Sequence, residues 1–162
     1  MAHDRSGVEG RLLKASLITT FLATVGVAGT QPARLPKPSA LGLAMLGLAS
    51  HRIGRMVAFE RVAEPLREPF TATVPDDSGA EDTVVARGRG ARWAIGELMS
   101  CPTCVATWGA MALYLGLTFL PGPTRVLVHV LAAAGVAELA HVGVEHLEWS
   151  GRAARKASAT DA

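Results

Sequence analysis

The chain has 162 residues, of which 49% are hydrophobic and only 5% aromatic, and its formal net charge is +2. This small charge, without clusters of Lys and Arg interleaved with aromatic residues, is not typical of nucleic-acid binding. The apolar residues are gathered in long blocks, which favours the membrane class over a soluble domain.

The first apolar block lies between Lys14 and Arg34 and holds 19 uncharged residues. A stretch of that length can cross a hydrocarbon core about 30 Å thick, so it predicts a first span over residues 15–33. Residues 1–14 then form a short cytoplasmic segment. Basic residues followed by an apolar run also fit a cleaved signal peptide, but we favour a retained helix because further spans follow.

The second apolar block, residues 38–51, is too short to span a membrane alone. It reaches about 20 residues, and predicts a span over residues 39–59, if the helix continues through Arg52 and Arg55. Long cationic side chains near a helix end can extend to the membrane interface, so these two arginines do not exclude a span.

Residues 60–100 form the longest polar region of the chain. Pro65 and Pro69 end the preceding helix, because proline removes a backbone donor and restricts the residue before it. The Gly, Asp and Pro residues between positions 71 and 90 predict a mobile loop. Residues 91–99 predict a short helix that lies at the membrane interface.

The strongest apolar block runs from Leu98 to Thr124 and predicts a third span over residues 101–120. A Pro-Gly-Pro turn follows, and the apolar sequence after it predicts a fourth span over residues 125–147. Residues 151–162 are small and polar, and they predict a disordered tail.

Together these elements predict an all-α fold, an integral membrane four-helix bundle over residues 15–150 with a short interfacial helix and a mobile loop. With a cytoplasmic N-terminus, the loop and both termini face the cytoplasm. Only three of the 16 basic residues, Arg34, Lys37 and Arg125, then lie on the opposite side. Lys and Arg are enriched on the cytoplasmic side of multi-pass proteins, which supports this orientation.

A Cys-Pro-Thr-Cys motif stands at the start of the third span. Cys101 fits an N-cap position and Pro102 the first helical turn, where the helix dipole favours a thiolate. A C-x-x-C pair supplies two of the four ligands of a structural zinc site, so two further ligands must come from elsewhere. The third and fourth helices rise by the same distance per residue from the turn that joins them. Counting equal numbers of residues from this turn places His141 at the same depth in the membrane as Cys104. The candidate metal set, with zinc as cofactor, is therefore Cys101, Cys104, His141 and Glu138. Redox chemistry and plain packing of two small side chains stay open.

Glu138 stands in the fourth span between apolar residues. An ionisable side chain inside a span is costly, and it usually faces the bundle and has a partner. Arg52 and Arg55 of the second span lie at a similar depth, so we predict a buried ion pair between Glu138 and one of them. A proton relay through Glu138, in a small transporter or channel component, is the alternative.

Two stretches carry motifs, "EPLREPF" and "CPTC" followed by a tryptophan. The first box consists of Glu64, Pro65, Arg67, Pro69 and Phe70, and the second of Cys101, Pro102, Cys104 and Trp108. Together they resemble a bacterial membrane-protein family catalogued as domain of unknown function 1360, which includes a Bacillus sporulation-associated member. The resemblance covers residues 41–147 and implies a bacterial membrane protein without an established activity.

The sequence therefore predicts a small multi-pass protein of the bacterial inner membrane, whose partner is the lipid bilayer. The leading hypothesis is a non-enzymatic protein whose CPTC pair is structural or binds a metal. The second is a membrane thiol–disulfide protein, with Cys101 as nucleophile and Cys104 as resolving cysteine. The oligomeric state is left open, and a homo-oligomer is compatible with the pattern.

Overall fold

The structure, a computed structural model, describes residues 7–30, 37, 39–75 and 83–160. The chain is mostly helical, as the sequence predicts. Its helices are α1 (Gly7–Gly29), α2 (Ala40–Phe59), α3 (Glu64–Arg67), α4 (Gly90–Met99), α5 (Pro102–Phe119) and α6 (Pro121–Thr160). A 3₁₀ turn (Arg61–Ala63) precedes α3, and the strands β1 (Thr71–Val74) and β2 (Thr83–Ala86) lie between α3 and α4.

Helix α2 forms the centre of the molecule and packs against both α5 and α6. Its buried residues Leu46 and Ala49 meet Leu113 of α5, and Val128 and Ala132 of α6, in one apolar cluster. Small residues at such contacts let helix backbones approach closely, which is the packing that membrane helices favour.

Contacts between side chains and backbone give the directions of α1 and α2 relative to α5. Helices α1 and α5 run in the same direction, because Lys14 pairs with Glu97, four residues before Cys101, while Phe21 further along α1 packs against Trp108 of α5. Helix α2 runs antiparallel to α5, because Gly54 near its end lies against Pro102, the first residue of α5.

Helix α6 runs in the same direction as α2. Leu48 lies against Gly135, and further along both helices Arg52 lies against Glu138. The start of α1, the end of α2, the start of α5 and the later half of α6 therefore share one end of the bundle. The segment that joins α2 to α5 begins and finishes at this same end.

That connecting segment is more ordered than the sequence predicts. Strands β1 and β2 pair antiparallel, with Thr71 opposite Ala86 and Val74 opposite Thr83, and the hairpin packs on α4. The mobile loop predicted over residues 71–90 is therefore wrong for both strands. The Thr and Val residues of both strands explain the hairpin, since β-branched residues favour strands. The short helix predicted over residues 91–99 is observed as α4.

Helix α6 is longer than the fourth predicted span. It continues to Thr160. The segment predicted to be a disordered tail, which begins at Gly151, is therefore helical as far as Thr160. The Ala, Arg and Lys of this stretch have high helix propensity, which explains the extension. Parts of the predicted N-terminal segment, first span, loop and tail fall on positions outside the described residues, namely 1–6, 31–36, 38, 76–82 and 161–162.

By length and apolar character, fewer helices of the described chain qualify as candidate membrane spans than the four predicted. Two helical stretches of the described chain are long and apolar enough to cross a membrane, Gly7–Gly29 and Pro121–Arg152. The pair Gly90–Met99 and Pro102–Phe119, bent by 82° at its break, adds a third if it counts as one span. Helix α2 does not qualify, which agrees with the presence of Arg52 and Arg55 in its second half.

Candidate functional site

Arg67 of the first motif box closes the end of α2. Its side chain is almost fully buried, with 5% of its surface exposed. Its guanidinium donates to the backbone carbonyls of Glu60 (2.7 Å), Phe59 (3.3 Å) and Val57 (3.4 Å). The last carbonyls of a helix have no partner within it, and the planar fork of arginine can satisfy several of them at once. Arg67 is therefore a C-terminal cap for α2.

The end of the same box docks onto α4. The carbonyl of Pro69 accepts a hydrogen bond from Arg92 Nε at 2.5 Å. The carbonyl of Phe70 lies so close to α4 that a Cβ on Gly96 would approach its oxygen to 2.2 Å. Glu64 and Pro65 occupy the first turn of α3, where proline loses no helical hydrogen bond. The first box is thus a structural junction between α2 and α4.

The second box begins α5. Cys101 is the N-cap, as predicted, and its sulfur accepts a hydrogen bond from the Cys104 amide at 3.3 Å. Pro102 is the first residue of the helix. Cys101 and Cys104, the only cysteines of the chain, form a disulfide with their Cα atoms 5.3 Å apart. Both residues are only half-buried.

The disulfide lies on the wall of an open groove between α1, α4 and α5, with a volume of about 630 Å³. The residues that line the groove are mostly apolar and include Leu17, Ile18, Phe21, Leu22, Ala94, Leu98 and Trp108. Its polar residues, besides the cysteines, are Lys14, Glu97 and Thr107. A site of this size with apolar walls and a few polar groups is typical of small-molecule binding.

Side chains from different helices fix the shape of this groove. Lys14 of α1 forms an ion pair with Glu97 of α4, and its ammonium lies 4.6 Å from the centre of the Trp93 ring. The rings of Phe21 and Trp108 pack edge to face with their centres 5.3 Å apart. Sequence reasoning missed the groove because no periodic signal links α1 to the CPTC motif. The tryptophan of the motif was the available hint, since a half-buried ring needs a partner.

The predicted metal set is not brought together. Cys101 and Cys104 are joined to each other, while the His141 side chain is 73% exposed and lies 3.9 Å from Glu145. Among the described residues, no group of three or more His, Cys, Asp or Glu side chains is arranged to hold a metal ion. Equal rise places a residue at a depth but leaves its rotation about the helix axis undefined. At this depth α6 faces α2, because Glu138 reaches the arginines of that helix.

Glu138 lies between the two predicted partners. One carboxylate oxygen is 3.3 Å from Arg52 Nη1, and the other pairs with Arg55 Nε. Arg52 also pairs with Glu60 at the end of α2. Only 19% of the Glu138 side chain is exposed, against 22% for Arg52 and 45% for Arg55. The cluster of two acids and two bases is therefore electrically balanced, as a partly buried group requires.

Comparison with known proteins agrees with the resemblance seen in the motifs. A family model described as "Protein of unknown function (DUF1360)" matches residues 45–144, which include both motif boxes and Glu138. The chain is 35% identical over 100 residues to sporulation protein YjcA of Bacillus subtilis (strain 168), covering 60% of this chain and 85% of that protein. It is 30% identical over 108 residues to the UPF0713 protein YngL of the same organism, covering 65% of this chain and 80% of that protein. No solved structure matches the chain.

Proposed function

The chain belongs to the DUF1360 family, and we propose that it is a multi-pass membrane protein whose Cys101–Cys104 pair undergoes reversible thiol–disulfide exchange. One observation carries the proposal. The disulfide is half-buried at the start of a helix and lines an open groove instead of being enclosed between helices. A disulfide in such a position is accessible to a thiol from outside.

The membrane part of the proposal has α1, α2, α5 and α6 as the four crossings. Helix α2, with 20 residues, is about 30 Å long, which matches the hydrocarbon core. Its two arginines are paired with Glu138 of α6, so their charges are compensated within the protein. Arg55, whose side chain is 45% exposed, lies near the end of α2, where a long cationic side chain can extend to the membrane interface. A charged residue inside a membrane is tolerated where it faces the bundle and is paired.

The orientation proposed is the one that the basic residues favour, with both termini and the α2–α5 segment in the cytoplasm. The helix directions are compatible with this orientation. The start of α1, the end of α2, the start of α5 and the later half of α6, which would all be cytoplasmic, lie at the same end of the molecule. Cytoplasmic disulfides in ordinary bacteria are usually transient, and serve catalysis or redox sensing. A disulfide on that side therefore favours exchange over permanent stapling.

The helix start supports the chemistry of exchange. In the direction that oxidises a client protein, a client thiolate attacks Cys101 Sγ, a mixed disulfide forms and Cys104 leaves as a thiolate. A second client thiolate attacks the client sulfur of the mixed disulfide, which releases Cys101 and leaves the client oxidised. The positive end of the α5 dipole stabilises both thiolates, and the Cys104 amide, which donates to Cys101 Sγ, stabilises that of Cys101. In reverse, Cys101 is the nucleophile and Cys104 the resolving cysteine.

Redox titration of the detergent-purified protein tests this function. The protein is equilibrated in mixtures of reduced and oxidised dithiothreitol, quenched with acid and alkylated with a maleimide that shifts its mobility. We expect the native protein to convert between an oxidised form with no reactive thiol and a reduced form with two reactive thiols. We also expect Cys104→Ser, but not Cys101→Ser, to retain mixed disulfides with client proteins in cells.

Two results would overturn the proposal. A disulfide that resists dithiothreitol until the protein is unfolded would be a structural staple. Zinc at one equivalent per chain in the reduced protein, lost in Cys104→Ser, would indicate a metal site instead. Zinc analysis is therefore run on the same samples as the thiol count.

A further inference from the structure

We propose that the groove beside the disulfide binds a membrane-soluble quinone, which takes up the electrons of the reduced Cys101–Cys104 pair. This inference rests on the proposed function, because it names the oxidant of that same pair. A thiol–disulfide protein that oxidises clients needs an electron acceptor after each turnover. The groove, with the pair on its wall, is the place in the described chain where such an acceptor would meet both sulfurs.

The walls of the groove suit a lipid-soluble ligand. Its volume of about 630 Å³ falls within the range of about 300–1,000 Å³ that small-molecule sites show. Ile18 and Leu22 of α1 line it and are also 61% and 62% exposed on the outer surface of the molecule. An apolar surface that continues from the outside into the groove gives a ligand dissolved in the bilayer a path to the disulfide.

The polar and aromatic groups of the groove suit a quinone head group. Trp108 and Phe21 offer aromatic surface for the flat ring of a quinone. Lys14 has three N–H donors, of which the ion pair with Glu97 uses one, so its ammonium can also donate to a quinone carbonyl. A phospholipid acyl chain would use the apolar wall alone. The disulfide is the feature that favours a ligand able to exchange electrons.

The reaction balances without another reactant. The two thiols of the reduced pair lose their hydrogens, so two S–H bonds break and one S–S bond forms. The quinone gains two electrons and two protons, and each carbonyl oxygen becomes a hydroxyl group. The pair is oxidised, the quinone is reduced to a quinol, and the quinol leaves along the apolar path. The next client dithiol reduces the pair again by the exchange described above.

Single-turnover reduction of decylubiquinone tests the inference. The detergent-purified protein is reduced, freed of reductant under anaerobic conditions and mixed with the quinone, and quinone absorbance and free thiols are recorded together. We expect one quinone to be reduced per chain, with loss of both thiols. Cys101→Ser/Cys104→Ser should reduce none. Trp108→Ala and Thr107→Leu, which remove and obstruct groove surface, should slow the reaction at least tenfold.

Controls separate the groove from the cysteines. Oxidation of the pair by diamide, a small water-soluble oxidant that needs no ring-binding surface, should be slowed much less than quinone reduction in Trp108→Ala and Thr107→Leu. Trp149 is 67% exposed in the later half of α6, away from the groove residues, and Trp149→Ala should reduce quinone as the native protein does. Thr107 is exposed, so Thr107→Leu is expected to fold even if Trp108→Ala does not.

The outcomes distinguish this inference from the function on which it rests. A pair that exchanges with dithiothreitol but reduces no decylubiquinone would overturn the quinone site and leave the proposed function standing. Equal quinone rates in the native protein and both groove variants would also overturn it, since the groove would then take no part. A pair that reacts with neither dithiothreitol nor quinone would overturn the proposed function first.

Discussion

Glu138 of α6 joins α6 to α2 by contacting two arginines at once, Arg52 and Arg55, one through each carboxylate oxygen. Arg52 in turn contacts Glu60, so the charges form a chain along the end of α2. The contacts fix the rotation of α6 about its own axis relative to α2, because a turn of either helix would separate the oxygens from their partners. The ion pairs therefore set the register of the two helices.

The first prediction concerns the energy of these pairs. Removing Glu138 leaves Arg55 without its acid and Arg52 with Glu60 alone. The losses of stability in the two single variants should therefore add up to more than the loss in the double variant. We expect cycles of Glu138→Gln with Arg52→Gln, and with Arg55→Gln, to show coupling of about 1–2 kcal/mol. Denaturant unfolding in detergent measures it.

A matched pair on α6 serves as the control. Arg152 and Glu148 are 3.0 Å apart but more than half exposed, so their cycle should show coupling of about 0.5 kcal/mol or less. Simple additivity in the Arg52 cycle, or in the Arg55 cycle, would reject that arginine as an energetic partner of Glu138.

The second prediction concerns the cap made by Arg67. Arg67→Ala removes the side-chain hydrogen bonds to three carbonyls at the end of α2, of which that of Glu60 keeps the Ala63 amide as a donor. We expect a loss of about 3 kcal/mol of unfolding free energy, and faster amide exchange in the last turn of α2. Arg67→Lys should recover less than half of the unfolding free energy that Arg67→Ala loses, since an ammonium lacks the planar fork of a guanidinium.

Arg61 provides the comparison for this prediction. It lies in the adjacent 3₁₀ turn and its side chain is exposed, so Arg61→Ala should change stability by about 0.5 kcal/mol at most. Equal effects of the two alanine variants would mean that the buried guanidinium does not cap α2.

The third prediction compares two glycines of α2. A Cβ on Gly54 would lie 2.3 Å from the Pro102 carbonyl oxygen and 3.0 Å from the Ala106 Cβ, while a Cβ on Gly47 meets nothing within 4 Å. Gly54→Ala should therefore force α2 from α5 and cost about 2 kcal/mol or more. Gly47→Ala should be neutral or stabilise by up to about 1 kcal/mol, because alanine favours the helix. Similar melting temperatures for both variants would contradict the close contact between α2 and α5.

The elements that could be predicted from the sequence depend on neighbours along the chain. The N-cap role of Cys101 follows from the Cys-Pro pattern, and the break between α5 and α6 follows from the prolines at 121 and 123. The depth of Glu138 follows from the rise per residue, which also brings it level with the two arginines of α2. These features need only local sequence and helix geometry.

The features that could not be predicted depend on the rotation of helices and on contacts between distant segments. Equal rise brought His141 level with Cys104, but the rotation of α6 leaves His141 exposed beside Glu145. Strands β1 and β2 were hidden because Gly, Asp and Pro residues separate two very short β-branched runs. The groove needs Lys14 next to Glu97, and nothing in either local pattern specifies that pair.

The fourth prediction concerns topology. Ser78, which lies outside the described residues, follows β1 in the segment proposed to be cytoplasmic, whereas Lys37 lies between α1 and α2 on the opposite side. In a Cys101→Ser/Cys104→Ser background, a membrane-impermeant maleimide added to intact cells should label Lys37→Cys and not Ser78→Cys. Both should react after permeabilisation. Labelling of Ser78→Cys from outside would reverse the orientation, and labelling of both would reject the crossing by α2.

The fifth prediction compares the native protein with and without its disulfide. Cys101 and Cys104 are three positions apart, so the bond closes a single turn, and chain entropy for so short a loop contributes about 2 kcal/mol or less. Neighbouring contacts also hold the start of α5, since Pro102 rests against α2. Serine can take over the N-cap acceptor of Cys101. A pair that serves exchange should therefore be dispensable for folding.

We expect Cys101→Ser/Cys104→Ser, and the native protein in dithiothreitol, to melt within about 5 °C of the oxidised native protein when followed by circular dichroism in detergent. Agreement between the two is informative, because reduction leaves the side chains in place while the substitution removes both sulfurs. A drop of about 10 °C or more in both samples would mean that the bond itself holds the junction between α4 and α5. The pair would then be a structural staple, and exchange with a client would unfold the site that performs it.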